Sequence, residues 1–339
     1  MSDLDAARLE AWLAATLPDE RGLSLERIGG GQSNPTFFVD WGGARLVLRK
    51  KPAGPILPGA HAIEREFRVL RALEGTDVPV PRALWLEEDA GVLGTPFYVM
   101  ERLAGRVFSD AALPGISPDE RREIYLDMAR TLARLHAVRP DAVGLSDFGR
   151  PGNYFERQIG RWTKQYRASP SPRIPALDRL VEWLPANMPP DDGAVSIAHG
   201  DFRIGNLMIH PTEPRVIAVL DWELATLGHP LADLGFCVMP WHSAPDEYGG
   251  ILGTDWRARG IPEREAFLAE YDAHAVPTAP LRPFHVAFAL FRFAVIFVGI
   301  ADRARAGSAA SAEAATLWPL AERFAVRALE AIEQQGPAG

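Results

Sequence analysis

His199-Gly200-Asp201-Phe202-Arg203-Ile204-Gly205-Asn206-Leu207-Met208-Ile209 sets a carboxylate, Asp201, ahead of a carboxamide, Asn206, within one short stretch. A second carboxylate, Asp221, follows the next apolar run, Val216 to Leu220. The segment His210-Pro-Thr-Glu-Pro214 between the two apolar runs is rich in turn formers, so the whole reads as a β-hairpin. Folded about Glu213 and Pro214, the hairpin sets Asn206 opposite Asp221, and paired strand residues lie roughly 4.5–5.5 Å apart. An amide oxygen and a carboxylate at that spacing can share one hard cation, and Mg²⁺ favours a few protein oxygens together with substrate phosphates. Asp201 is then left to act on a hydroxyl. The pattern implies phosphoryl transfer.

The same stretch carries a resemblance. It is similar to the protein-kinase catalytic loop His-Arg-Asp-Leu-x-x-x-Asn, with Gly200 in place of the arginine. With that glycine, and with Asp221-Trp222-Glu223 and Gly228-His229-Pro230-Leu231-Ala232-Asp233-Leu234 downstream, the chain resembles the aminoglycoside phosphotransferase and choline kinase family. The pieces fall in order over roughly residues 20 to 300. The resemblance implies an α+β, two-lobed protein-kinase-like fold. Its N-lobe, residues 1–103, would be a small antiparallel sheet plus a helix that binds nucleotide. Its larger, mainly helical C-lobe, residues 104–339, would hold the catalytic loop, the metal site and the acceptor pocket.

Composition agrees with two lobes of ordinary soluble character. The chain has 339 residues, 47% hydrophobic and 24% charged, long enough for two cores. A formal charge of −8 argues against nucleic acid as a partner. A single cysteine, Cys237, excludes an internal disulfide and fits a reducing compartment; its place in an apolar run points to packing. The start, Met-Ser-Asp-Leu-Asp, lacks the basic and apolar regions of a secretion signal, so a cytoplasmic location is expected. The longest apolar stretch, Phe284 to Ile300, contains His285 and Arg292 and falls short of the ~20 residues of a membrane span. It reads as a core helix, with no membrane as partner. Oligomeric state is not legible.

Apolar spacing predicts a helix over Leu4 to Leu17, then strands at Leu23–Ile28, Thr36–Trp41 and Arg45–Lys50. A helix over residues 62 to 73 and strands at Ala83–Leu86 and Phe97–Leu103 complete a five-stranded sheet with one helix packed on it. Helices follow at Pro118–Val138, Tyr154–Tyr166 and Ala176–Trp183, and again from about Glu263 to Gln334. Residues Ser169 to Pro175 read as a loop, and the tail Gly336 to Gly339 as frayed.

Gly29-Gly30-Gly31-Gln32-Ser33 lies between two strands, which excludes the dinucleotide fingerprint, and a Walker-type loop is absent. A glycine-rich β-turn can lay backbone N–H groups over phosphates, although a plain hairpin explains the same glycines. By the resemblance, Arg49 stands where the family's third strand carries a phosphate-binding lysine. Arginine keeps the charge with a different reach. Lys50 points to the other strand face and cannot substitute. Glu66 is the implied partner of Arg49, with Glu64 as competitor. The implied hinge is Tyr98 to Leu103, where backbone near Glu101 and Leu103 would meet adenine and Met100 would guard the back of the pocket.

Asp201 is the base, or the group that orients the attacking hydroxyl. Arg203 takes the place of the catalytic-loop lysine, and Asn206 and Asp221 are the metal ligands. His199 and Asp233 read as residues that hold the loop. Only eleven residues separate Asp221 from Asp233, and no Ala-Pro-Glu follows, which favours a small-molecule acceptor over a polypeptide. The cofactors implied are ATP and Mg²⁺, with GTP not distinguished from ATP. The segment Phe236 to Tyr248 is apolar and aromatic, unlike a cleft for polycationic aminoglycosides. Asp-Trp-Glu also resembles the kinase-like domains fused to acyl-CoA dehydrogenases, which suggests a hydroxylated acyl acceptor. The alternative is a nucleotide-binding scaffold without activity, motivated by Arg49.

Overall fold

Alternating burial builds the first sheet. In the computed structural model, which describes residues 4–18, 21–29, 34–53, 61–150, 152–306 and 316–333, two compact units emerge. The first comprises Met1–Gly105 together with Ile217–Ala225, and the second Arg106–Val216 with Thr226–Gly339.

The first unit opens with α1 (Ala6–Thr16), then β1 (Leu23–Arg27), β2 (Thr36–Trp41), β3 (Ala44–Lys50), α2 (Ile63–Leu73), β4 (Ala83–Glu87), α3 (Ala90–Leu93) and β5 (Phe97–Glu101). The strands form one antiparallel sheet in the order β1-β2-β3-β5-β4. Phe37, Val39 and Trp41 of β2 and Leu46 and Leu48 of β3 are buried on one face. They pack with Leu9 and Leu13 of α1 and with Leu93 of α3. The sheet therefore carries helices besides the one expected from sequence. Asp5 caps α1 by accepting the N–H groups of Ala7 and Arg8 at 3.1 and 3.2 Å.

Period 2 puts Arg49 on the face opposite Leu48 and Lys50. Lys50 is buried and donates to the Leu93 carbonyl at 2.9 Å, on the α1 side. Arg49 pairs across the sheet with Tyr98. On α2 the buried positions are Ile63, Glu66, Val69, Leu70 and Leu73, one helical stripe with a carboxylate set into it.

The second unit contains β6 (Arg106–Val107), α4 (Pro118–Ala137), α5 (Tyr154–Ala168), α6 (Pro175–Ala186), β7 (Ser196–Ala198), β8 (Leu207–Ile209) and the start of β9 (Val216–Val219). It continues with β10 (Thr226–Gly228), α7 (Pro230–Cys237), α8 (Arg264–His274), α9 (Pro283–Arg305) and α10 (Trp318–Glu333). Ser117 caps α4, with Pro118 at its first position. Among the described residues α9 is the one helix long and apolar enough to cross a membrane, but 83% of its most apolar stretch is buried inside the protein. Sequence length alone placed this segment short of a span; the helix extends to 23 residues, and burial is what assigns it to the core. Helices α7 and α9 approach closely at Gly235, where an added Cβ would lie 2.7 Å from the His285 carbonyl oxygen. The predicted frayed tail lies outside the described residues.

Candidate active site

In the first unit, Arg49 joins three acids. Its Nε lies 2.9 Å from Glu66 Oε2, and its Nη2 lies 2.7 Å from Asp221 Oδ1 and 3.7 Å from Glu223. Burial works against the guanidinium charge, but Glu66 and the neighbouring carboxylates outweigh it and raise its pKa. Glu66 is 1% exposed. Burial pushes its carboxyl up to about 7 against the pull of Arg49. Asn34 Nδ2 donates to Glu66 at 2.7 Å and the Tyr98 hydroxyl at 3.1 Å, so its oxygens are fully partnered. The competitor Glu64 pairs instead with Lys51. A sequence signal separates the two: Glu66 falls on the apolar stripe of α2, and Glu64 does not.

Asp221 follows β9 with φ 63°, a left-handed conformation that aspartate tolerates better than most residues. Trp222 is buried and its indole donates to the Val219 carbonyl at 3.0 Å. Asp221 Oδ1 takes the Arg49 contact; Oδ2 carries no hydrogen bond among the described residues. The predicted ladder pairing of Asn206 with Asp221 does not occur. Asn206 ends a 3-10 turn, Ile204–Asn206, ahead of β8, and Asp221 lies beyond the end of β9, so neither is a strand residue. His210 N–H to the Arg215 carbonyl, at 2.9 Å, closes the turn between the strands.

Of the glycine-rich turn, Gly29 is exposed with open space around a would-be Cβ, while Gly30, Gly31, Gln32 and Ser33 lie outside the described residues. At the predicted hinge, the Glu101 N–H is occupied by the Arg82 carbonyl at 3.0 Å. The backbone of Leu103 carries no hydrogen bond among the described residues, and Met100 is half-buried between Val47 and Ala83 in the sheet.

In the second unit the stretch from His199 to Asn206 is tied at both ends. Asp233 of α7, 1% exposed, accepts the N–H of His199 at 2.6 Å and of Gly200 at 2.8 Å. Its burial alone would raise its pKa, but the hydrogen bond and charge of His136, with those backbone donors, bring it below the ordinary range. His136 Nε2 sits 3.5 Å from it, while His136 Nδ1 meets the Tyr271 hydroxyl at 2.7 Å. Gly200 has φ +84°, which an arginine at that position would adopt only under strain, and its carbonyl accepts from Arg292 of α9. Arg292 also lies over the Phe236 ring at 5.2 Å. From sequence, Arg292 is visible only as an obstacle to membrane insertion, and His136 and Tyr271 do not stand out. An arginine inside an apolar helix was the available signal for Arg292; nothing local marked the other two.

Asp201 is a quarter exposed. Its Oδ2 accepts from Asn206 Nδ2 at 2.7 Å and from Arg203 Nε at 3.3 Å, which leaves Oδ1 without a hydrogen bond among the described residues. Asn206 Nδ2 also donates to the Asp201 carbonyl at 2.8 Å, so its Oδ1 is the atom left over. Arg203 opens onto a pocket within this unit, lined by Tyr125, Met128, Phe236, Met239, Tyr248 and Phe293 among others. Glu247 is the one carboxylate among the pocket's described lining residues, and Arg327 pairs with it at 2.8 and 3.1 Å. Cys237, also in the lining, is buried, and burial holds its thiol protonated. No group of three or more His, Cys, Asp or Glu suited to a metal occurs among the described residues.

The sequence matches the phosphotransferase enzyme family, APH, over residues 24–284. This chain belongs to that family. A crystal structure from Ralstonia eutropha, named for the aminoglycoside phosphotransferases, is 46% identical, covers 98% of this chain and 99% of its own, and superposes with a TM-score of 0.87. The GDP complex of aminoglycoside 2'-phosphotransferase-IIIa, at 15% identity over 95% of this chain and 99% of its own with a TM-score of 0.65, shares the fold. Acyl-CoA dehydrogenase family member 10 of Mus musculus is 42% identical over 318 residues, which is 93% of this chain but 30% of that protein. The APH chain thus spans about a third of the length of this curated relative. Its fold is the protein-kinase-like α+β fold, with an antiparallel sheet in the N-terminal part and helices in the C-terminal part.

Proposed function

We propose that this APH-family chain transfers the γ-phosphoryl group of ATP to a hydroxyl of a small hydroxylated acyl compound. The observation that carries the choice of acceptor is the apolar pocket beside Arg203, whose described lining has one carboxylate, Glu247, already paired with Arg327. A polycationic aminoglycoside would find no unpaired acid there, whereas an aliphatic chain would bury against Met128, Phe236 and Phe293. The relative named as an acyl-CoA dehydrogenase family member supports the same reading.

Asp201 Oδ1 would take the hydrogen bond of the acceptor hydroxyl, while Asn206 and Arg203 fix Oδ2 and so the orientation of the carboxylate. Arg203 would steady the transferred group. Arg49, held by Glu66, would meet nucleotide phosphates in the place of the family's lysine. Adenine would lie at the hinge, on backbone near Glu101 and Leu103 and against Met100. Asn206 Oδ1 and Asp221 Oδ2, without hydrogen bonds among the described residues, are hard oxygen donors of the kind Mg²⁺ takes, and these two residues would hold it. Held there, Mg²⁺ would supply positive charge against the negative charge that develops on the transferring phosphate. The protein residues then bind, orient and accept the proton.

The test is Mg²⁺-dependent ATP consumption against separate pools of hydroxy acids, amino alcohols, sugars and aminoglycosides. Turnover confined to the hydroxy-acid pool, or its thioesters, is expected. Turnover confined to aminoglycosides would overturn the acceptor. Silence from every pool, with ATP still bound, would favour the inactive scaffold.

A further inference from the structure

A second cavity lies entirely within the helical unit, at the end of β10 away from the catalytic loop. The register pairs Gly228 with Ser196 and Thr226 with Ala198, so the cavity meets this ribbon at the end farther from His199. Phe155, Met188, Val195, Leu227 and Leu231 give it apolar walls. Two imidazoles, His229 and His285, stack along one side with ring centroids 6.3 Å apart and planes 15° from parallel. None of these groups has a part in the chemistry described above.

Three polar side chains that line this cavity, Asp191, Asp192 and His229, are occupied. Asp191 accepts the N–H groups of Asn153 and Gly193 at 2.9 and 3.0 Å. Asp192 accepts from Ala194 N–H at 2.9 Å and pairs with His229 Nε2 at 3.0 Å. His229 Nδ1 accepts the Leu231 N–H at 3.2 Å, which completes that ring. His285 differs. Its Nδ1 accepts the Arg282 N–H at 2.8 Å, which places the ring proton on Nε2. That Nε2–H has no acceptor among the described residues, although the residue is 2% exposed and lines the cavity. The ring is held by its Nδ1 and the rest of the residue is covered, so Nε2–H is the polar atom His285 has left to offer a molecule in the cavity. The carboxylates and guanidiniums that line the cavity, Asp191, Asp192, Glu156, Arg150 and Arg282, are of mixed sign, so no strong field selects an ion.

We propose that this cavity is a second small-molecule site, for a neutral, mostly apolar compound that presents one hydrogen-bond acceptor, such as a carbonyl, to His285 Nε2. The occupant would press on the elements that hold the catalytic loop. His229 leads into α7, which carries Asp233, and His285 lies two turns before Arg292 on α9. Asp233 holds the N–H groups of His199 and Gly200, and Arg292 holds the Gly200 carbonyl. Occupancy is therefore expected to slow hydrogen exchange at those two amides.

Benzamide, a flat apolar ring with a carbonyl, serves as the probe, and toluene as its match without an acceptor. Imidazole NMR on the full chain should show saturable benzamide binding that shifts the His285 Nε2 resonance, about 5-fold tighter than toluene, the worth of one net hydrogen bond. His285→Phe should bind both probes equally. Val195→Trp, a substitution at a 40% exposed wall position, should abolish binding of both and keeps the test open if the first variant fails to fold. No saturable binding of either probe, a benzamide preference that survives His285→Phe, or ordered water alone against Nε2 in a benzamide-soaked crystal would overturn the proposal.

Discussion

Replacing Asp233 with asparagine tests how the catalytic loop is held. The carboxylate accepts two backbone donors, His199 N–H at 2.6 Å and Gly200 N–H at 2.8 Å, from a fully buried position. Asparagine has one acceptor oxygen; its NH₂ would face the second N–H, donor against donor. One charge-assisted hydrogen bond is lost, about 1.5–3 kcal/mol, and a buried N–H is stranded, about 1–3 kcal/mol. The two together come to about 2.5–6 kcal/mol, concentrated on residues next to Asp201. Native-state hydrogen exchange should register this at the His199 and Gly200 amides as protection lower by about 10²-fold to 10⁴-fold. Exchange of both amides in Asp233→Asn within about threefold of wild type would refute the claim that Asp233 holds the loop.

Three further outcomes follow from the geometry. Arg49→Met leaves Glu66 buried without its counter-ion and should destabilise the sheet unit by about 3–5 kcal/mol in urea denaturation, while Arg49→Lys should cost far less. Gly200→Ala puts a Cβ on a residue at φ +84° and should lower stability by about 1–2 kcal/mol, read as a shift in the denaturation midpoint. Burial holds the His285 imidazole neutral, down to about 3 from an ordinary 6.5. A depressed base contributes stability that is present above 6.5 and lost as pH falls toward 3, on the order of 5 kcal/mol over the whole window. Stability measured against pH should therefore fall less steeply below 6.5 in His285→Phe than in wild type; equal slopes would contradict this assignment.

The parts of this protein written in local pattern were readable from sequence. Strand alternation gave β2 with its observed bounds, Thr36–Trp41, and the 3.6-residue period gave α4 within one residue. One element buried along its whole length was not legible. Helix α7 is buried along its whole length, so it has no polar face to mark a period, and sequence reading passed over it. The pairing of Arg49 with Glu66 was expected, and the structure places them 2.9 Å apart. Asn206 and Asp221 are not opposed across a hairpin because both leave the strand conformation, one in a 3-10 turn and one at positive φ. Arg292, His136 and Tyr271 reach the loop's anchor from distant helices, and such long-range contacts leave no trace in sequence spacing.

The most direct test of phosphoryl transfer through Asp201 is ³¹P NMR of the chain incubated with ATP, Mg²⁺ and a hydroxy-acid acceptor, with Asp201→Asn beside it. A phosphate-monoester resonance should grow in the wild type as ATP is lost, and fall by about 10²-fold or more in rate in the variant while ATP still binds. Ester formation at the wild-type rate in Asp201→Asn would contradict the account.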